Sequence, residues 1–223
     1  MKFLLFPGGI RGFGVMAGLA VAIVGIIYSP AALAFPHFKQ IGTTKIYSEA
    51  PIPEVMAERI QRADALLAAS PLTVPELRRT LVLTEGGWRW KVLAAGNWGA
   101  IALRRPFSSA LLFNNADILA DRVRNGAPRG GVRTLSGTIA HESVHLLTAR
   151  RYGEVRLARM PEWKREGYAD YVAQETSISA NDEAQVREVS PNSPLLRYYA
   201  AHRRVKQLLD GDGVSVDELL SKD

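Results

Sequence analysis

The sequence predicts an α+β fold, because strand-like segments dominate its first half and helical patterns dominate its second. Between residues 80 and 113, short β-prone segments are separated by glycine-containing turns. From Thr134 onward, apolar residues recur at helical spacing, with prolines or glycines between the segments. With 223 residues, the chain is long enough for one domain with a substantial core.

A small, mostly antiparallel sheet is predicted in the first half of the chain. Strands are expected at residues 43–48, 80–84, 88–93, 100–103 and 110–113, and a helix at 53–69. The segment 110–113 suits either an edge or an interior strand. Further helices are expected at about 134–151, 161–176, 194–209 and 214–221.

Residues 1–35 form an apolar N-terminal segment that we expect to enter a membrane. Lys2 and Arg11 lie near its start, and no residue from Gly12 to Phe38 is charged. Flanking basic residues stay inside the cell, so residues 36–223 are predicted to be an exported domain of the cell envelope. Two interpretations remain open, since the segment can be a signal cleaved after Ala34 or an uncut membrane anchor.

Composition narrows the possible functions. The chain has no cysteine, which excludes a disulfide framework and thiolate metal ligands. Any metal site must therefore use histidine and carboxylate ligands. The net charge is +6, but the arginines are spread along the chain and form no nucleic-acid-binding motif. We therefore expect no nucleic-acid partner.

Residues 141–145 read His-Glu-Ser-Val-His and carry the clearest chemical signal. In a helix, positions i and i+4 share one face, so both imidazoles can reach one metal ion while Glu142 projects beside them. Apolar residues surround the motif, which places this helix in the core. Two histidines and a glutamate would be costly there without partners. The pattern therefore predicts a zinc site with His141 and His145 as ligands.

A second motif begins at Pro161, which suits the first turn of a helix. Glu166 then lies in the second turn and would complete the two-histidine, one-glutamate ligand set of catalytic zinc. Asp170 lies one turn further on, where it can accept the other ring proton of a ligating histidine. Gly167 costs about 1 kcal/mol relative to alanine inside a helix. We expect it to allow close packing, with the 134–151 helix as the natural neighbour.

Together the two motifs resemble those of the gluzincin metallopeptidases, a peptidase MA-like superfamily. That group carries HExxH on one helix and a glutamate ligand on the next, typically in a Trp-x-x-Glu-Gly-x-Ala phrase, which this chain has at residues 163–169. The resemblance covers about residues 134–209 and implies a zincin-like fold whose helical half carries the metal site. The metzincin pattern does not fit, because it requires glycine and histidine where this chain has Thr148 and Arg151.

The resemblance implies a zinc-dependent peptidase that acts on a peptide or protein substrate with Glu142 as general base. In such enzymes a tyrosine or histidine of a later helix often donates to the developing oxyanion, and Tyr198 and His202 are the candidates here. An extended substrate often lies along the edge strand before the metal helix, expected at residues 110–113. Two alternatives stay open: a zinc-binding scaffold without turnover, and a zinc hydrolase of a non-peptide bond.

Overall fold

The computed structural model describes Gly25 and residues 33–221, and this part of the chain has an α+β fold with a mixed sheet. The strands are β1 (His37–Ile41), β2 (Thr44–Ser48), β3 (Arg79–Thr84), β4 (Ala102–Arg104), β5 (Ala110–Asp117), β6 (Arg122–Arg124) and β7 (Val132–Arg133). The helices are α1 (Met56–Leu67), α2 (Gly87–Ala94), α3 (Leu135–Tyr152), α4 (Glu154–Arg159), α5 (Glu162–Ala173), α6 (Ala180–Val189), α7 (Pro194–Lys206) and α8 (Val216–Ser221), with a π-helical segment, Gln207–Gly211, after α7. The four helices expected after residue 134 are therefore present.

The predicted membrane segment, residues 13–28, lies outside the described residues except for Gly25. Among the described residues, no helix is both long enough and apolar enough to cross a membrane. The continuous description starts at Leu33, just before the predicted cleavage position.

The sheet is mixed, which corrects the expectation of a mostly antiparallel sheet. Its strand order is β1-β2-β3-β5-β6-β7, and β4 pairs with β5 beside β6. The central pairings, β2 with β3 and β3 with β5, are parallel, while the outer pairings are antiparallel. Parallel neighbours need long crossover connections, and here α1 and α2 lie in those connections.

Residues 88–93, predicted as a strand, belong instead to helix α2. Apolar and basic residues alternate over most of this segment, as they do in a half-buried strand. Its buried residues, Trp90, Leu93 and Ala94, nevertheless follow helical spacing against the sheet. Helices α4 and α6 and strands β1, β6 and β7 are also absent from the sequence-based prediction, because they are short and their patterns are weak.

Alternate residues of the central strands divide the core between the two faces of the sheet. Leu81 and Leu111 belong to the larger cluster, which also contains residues of α1, α3 and α5. Val82 and Leu112 belong to the smaller cluster, which contains residues of α2. Helix α3 is buried from Leu135 to Ala149, so the helix with the predicted metal ligands lies inside the larger core. Helix α2 covers the opposite face.

Candidate metal centre

Helix α3 holds both histidines of the predicted site in the protein interior. Its N-terminus is capped by the Thr134 side chain, which accepts a hydrogen bond from the Gly137 amide. His141 and His145 are 7% and 9% exposed, and their ring centroids are 4.8 Å apart. The i, i+4 spacing thus brings the two imidazoles together, as the sequence predicts.

Glu166 of helix α5 joins the two histidines. Its Oε2 atom lies 3.4 Å from His141 Nε2 and 3.5 Å from His145 Nε2, and the two Nε2 atoms are 3.1 Å apart. Ligands placed about 2.0–2.1 Å from a tetrahedral zinc ion would be separated by about 3.3–3.4 Å. Two imidazoles and a carboxylate at these distances could hold a metal ion of that size.

The charges around these side chains favour a cation between them. Burial opposes protonation of His141, but its hydrogen bonds to Asp170 and Glu166 prevail and raise its pKa to about 10. Burial also acts to raise the pKa of Glu166, yet His145 and His141 hold that pKa well below its usual range. Both pKa shifts show that a positive charge between the three side chains is favourable. A divalent metal ion supplies that charge more strongly than a proton does.

Asp170 orients His141 from the side opposite the metal position. Its Oδ1 atom lies 2.9 Å from His141 Nδ1 and accepts a hydrogen bond of 2.9 Å from Arg133 Nη1. Burial acts to raise the pKa of Asp170, but Arg133 and His141 lower it, so the group is a carboxylate at neutral pH. Arg133 also donates to the backbone oxygen of Glu175. This arrangement keeps the Nδ1 proton in a hydrogen bond to Asp170, so a metal ion would bind at Nε2 in place of the second ring proton.

Replacing Asp170 by asparagine is expected to weaken zinc binding by about 10–100-fold, because the ligating imidazole loses a charged acceptor. The measurement is zinc affinity in competition with a chromophoric chelator. Asp182→Asn is the control, since Asp182 is an exposed residue at the start of α6. Equal affinity of the Asp170→Asn variant and the parent protein would contradict a role for Asp170 in orienting His141.

Two arginines of the centre are not indicated by any sequence pattern. Arg133 precedes α3 and reaches Asp170 on α5, and Arg165 Nε donates a 2.8 Å hydrogen bond to Glu166 Oε1. Arg165 thereby holds one carboxylate oxygen while the other faces the histidines. The sequence shows that Arg165 precedes Glu166, but it does not show that the Arg165 side chain turns towards the Glu166 carboxylate. The Arg133 contact joins residues far apart in the chain, so spacing does not reveal it.

A cavity of about 980 Å³ opens beside the three candidate ligands. Glu142 lines it together with His141, His145 and Glu166, so the predicted general base borders the same space as the candidate metal ligands. Glu142 is 6% exposed, which places its carboxylate in a largely desolvated wall.

The cavity distinguishes the two candidate oxyanion donors. Tyr198 is part of its lining, whereas His202, though described, is not. Burial and the negative charges of Glu166 and Glu162 raise the pKa of Tyr198, which keeps its hydroxyl protonated. Burial lowers the pKa of His202, whose Nδ1 atom is buried without a hydrogen-bond partner among the described groups. The geometry therefore favours Tyr198 over His202 as a donor.

Strand β4 provides the sheet edge at the cavity. Residues 110–113, the expected edge, belong to β5, which is an interior strand paired with β3 on one side and with β4 and β6 on the other. Within the described residues β4 pairs with β5 alone, and all three of its residues line the cavity. The edge lies at β4 and not at β5, because residues 102–104 pair antiparallel with β5.

Gly167 packs against α7 rather than against α3, which corrects the expected neighbour. A Cβ atom at this position would lie 2.6 Å from the Ala201 carbonyl oxygen and 2.9 Å from Val205 Cγ2. The absence of a side chain lets α5 and α7 approach closely, and Glu166 projects from the adjacent position of the same helix.

Comparison of the chain with protein-family models, with curated proteins and with solved structures found no match. The gluzincin resemblance thus depends on the two motifs themselves.

Proposed function

We propose that this chain is a zincin-like, zinc-dependent peptidase of the cell envelope, with His141, His145 and Glu166 as metal ligands. The observation that carries the proposal is the convergence of three donor atoms within 4.8 Å of one another on a cavity that Glu142 also lines. The two histidines lie on α3 and the glutamate lies further along the chain on α5, which agrees with the ligand order of the resembled group. The charged and apolar pattern of residues 1–35 supports the location in the envelope.

The residues of the cavity would have separate roles in peptide hydrolysis. A zinc ion held by His141, His145 and Glu166 would supply a Lewis acid for the scissile carbonyl and the attacking water. Glu142 would accept the proton of the attacking water and pass it to the leaving amine. Tyr198 donates its hydroxyl hydrogen to the developing oxyanion. Asp170 and Arg165 keep His141 and Glu166 in position through the hydrogen bonds described above.

The edge of β4 offers a binding mode for an extended peptide. A substrate strand paired with Ala102–Arg104 would continue the sheet and satisfy the backbone groups of that edge. The main chain would supply affinity there, while the cavity receives the side chains. This mode suits a peptide bond better than a compact non-peptide substrate, which has no strand to pair.

Replacing Tyr198 by phenylalanine is expected to lower kcat by about 10²–10³-fold, the usual loss of an oxyanion donor. The zinc content should not change, because Tyr198 is not a ligand. His202→Gln is the control and should retain most of the activity. Steady-state kinetics on a cleaved peptide together with metal analysis provide the measurement. A larger loss in the His202 variant than in the Tyr198 variant would reverse the assignment.

The proposal is tested first by metal content, measured on the full chain in detergent beside Glu166→Ala and Glu142→Gln variants. We expect about one zinc ion per chain in the parent, a strong reduction in the first variant and retention in the second. A peptide-library screen of the zinc-loaded protein then tests for peptidase activity. A parent protein that takes up no zinc from excess would refute the proposed function, and zinc uptake without any cleavage would favour the scaffold alternative.

A further inference from the structure

One surface of the domain exposes large apolar side chains on helix α2 and the loop after it. Trp88, Val92 and Trp98 are 58%, 40% and 58% exposed. Trp88 and Val92 are one turn apart on the helix, and Trp98 Nε1 donates to the Lys91 backbone oxygen, which holds the second indole against the end of α2. We call these three residues the α2 face. Two half-exposed tryptophans on one short helix and the loop after it are unusual on a surface that contacts only water.

The N-terminal segment enters the domain beside this face. Leu33 is 7% exposed and packs in the smaller core cluster with Trp90 and Leu93 of α2. Arg89 Nε donates a 3.1 Å hydrogen bond to the Leu33 backbone oxygen, and the Arg89 guanidinium lies 4.7 Å from the Trp88 ring centroid. The continuous description of the chain therefore begins beside α2.

The sequence before Leu33 is typical of a segment that enters a membrane. No residue from Gly12 to Leu33 is charged, and residues 13–28 are almost wholly apolar. If residues 13–28 span a bilayer, the α2 face is brought near the lipid surface, because only four residues separate Tyr28 from Leu33, which is buried against α2. Tryptophan is the residue type that prefers the interface between headgroups and hydrocarbon.

One exposed lysine of α2 can interact with an anionic surface. Lys91 is exposed on α2 next to Val92. A lysine near an anionic bilayer is attracted by the negative surface potential. A second protein would have to bury this lysine, whereas at a lipid headgroup it remains hydrated.

We propose that the α2 face rests on the surface of an anionic lipid bilayer, next to the point where an uncut N-terminal segment enters it. Cleavage after Ala34 would remove Leu33 from the core cluster, so the contact between domain and membrane requires the retained anchor. Helix α3 packs on the opposite face of the sheet, which leaves the candidate ligand helix on the side away from the bilayer. This inference depends on membrane insertion and not on the metal chemistry.

The absence of cysteine permits a direct test with single-cysteine labels. The full chain is placed in lipid nanodiscs of phosphatidylcholine and phosphatidylglycerol, one copy per disc, and labelled with a small fluorophore at Val92→Cys or Leu119→Cys. Leu119 is the matched control, since it is 73% exposed and its backbone oxygen binds Arg59 of α1, on the other side of the sheet. We expect a lipid-borne quencher to reduce fluorescence several-fold more at position 92 than at 119, and aqueous iodide to do the reverse.

Two outcomes of this quenching experiment would contradict the proposal, and a charge variant tests the requirement for anionic lipid. Equal quenching of both labels by iodide would show that the α2 face stays in water. A label at position 92 that is shielded from iodide but not reached by the lipid quencher would show that the chain covers this face itself, since each disc holds one copy. Lys91→Glu should reduce lipid quenching at position 92 in the anionic discs towards the level of phosphatidylcholine discs, and an unchanged signal would remove the requirement for anionic lipid.

Discussion

Glutamine at position 142 is expected to reduce peptide hydrolysis by about 10²–10⁴-fold, the contribution of a well-placed general base. Glutamine keeps the shape of Glu142 but cannot accept the proton of the attacking water. The three candidate ligands are untouched, so zinc content and the unfolding temperature should stay close to those of the parent protein. Steady-state kinetics, metal analysis and thermal unfolding of the same preparations measure the three quantities together.

Glu188→Gln is the matched control for this experiment. Glu188 is an exposed residue of α6 and does not line the cavity. Its replacement removes one exposed carboxylate and should leave kcat nearly unchanged. Activity of the Glu142 variant within a few-fold of the parent would rule out Glu142 as the base. Loss of zinc from that variant would instead indicate that Glu142 helps to form the metal site.

Alanine at position 167 is expected to destabilise the protein by about 1–3 kcal/mol, the usual cost of overpacking a close contact. In an open helix the same change would stabilise by about 1 kcal/mol. Here the new methyl group would lie 2.6 Å from the Ala201 carbonyl oxygen, so α5 and α7 must separate. Glu166 would move with α5, and zinc affinity should fall as well. Denaturant unfolding and chelator competition measure the two effects.

Gly99→Ala is the control for this change in backbone freedom, because a Cβ atom at Gly99 would meet no atom within 4 Å. Its free energy of unfolding should equal the parent value or exceed it by up to about 1 kcal/mol, because alanine restricts the unfolded chain more than glycine does. A stable Gly167→Ala variant with unaltered zinc affinity would contradict the tight contact between α5 and α7.

The order of the helical half and the members of the candidate site are largely predictable from local sequence. The four helices after residue 134 follow from apolar spacing, and the i, i+4 rule alone brings His141 and His145 together. The phrase around Glu166 marks the third donor, and one further turn marks Asp170. The helices and the histidine pair are predictable because each depends on residues within one helix, where spacing determines direction. The approach of Glu166 and Asp170 to the histidines results instead from the packing of α5 against α3.

Other features depend on how distant segments pack, and these are the points where sequence-based prediction is wrong or silent. The alternating pattern of residues 88–93 suits a strand, but contact with the sheet selects a helix. Gly167 packs against α7, and the sheet edge at the cavity is β4. Arg133 contacts Asp170, which lies 37 positions further along the chain. Local sequence is enough to predict the candidate donor residues and the helices that carry them. The surfaces that meet are known only from the folded chain, because packing between elements depends on the shape and burial of both partners, and neither is encoded in the spacing of one segment.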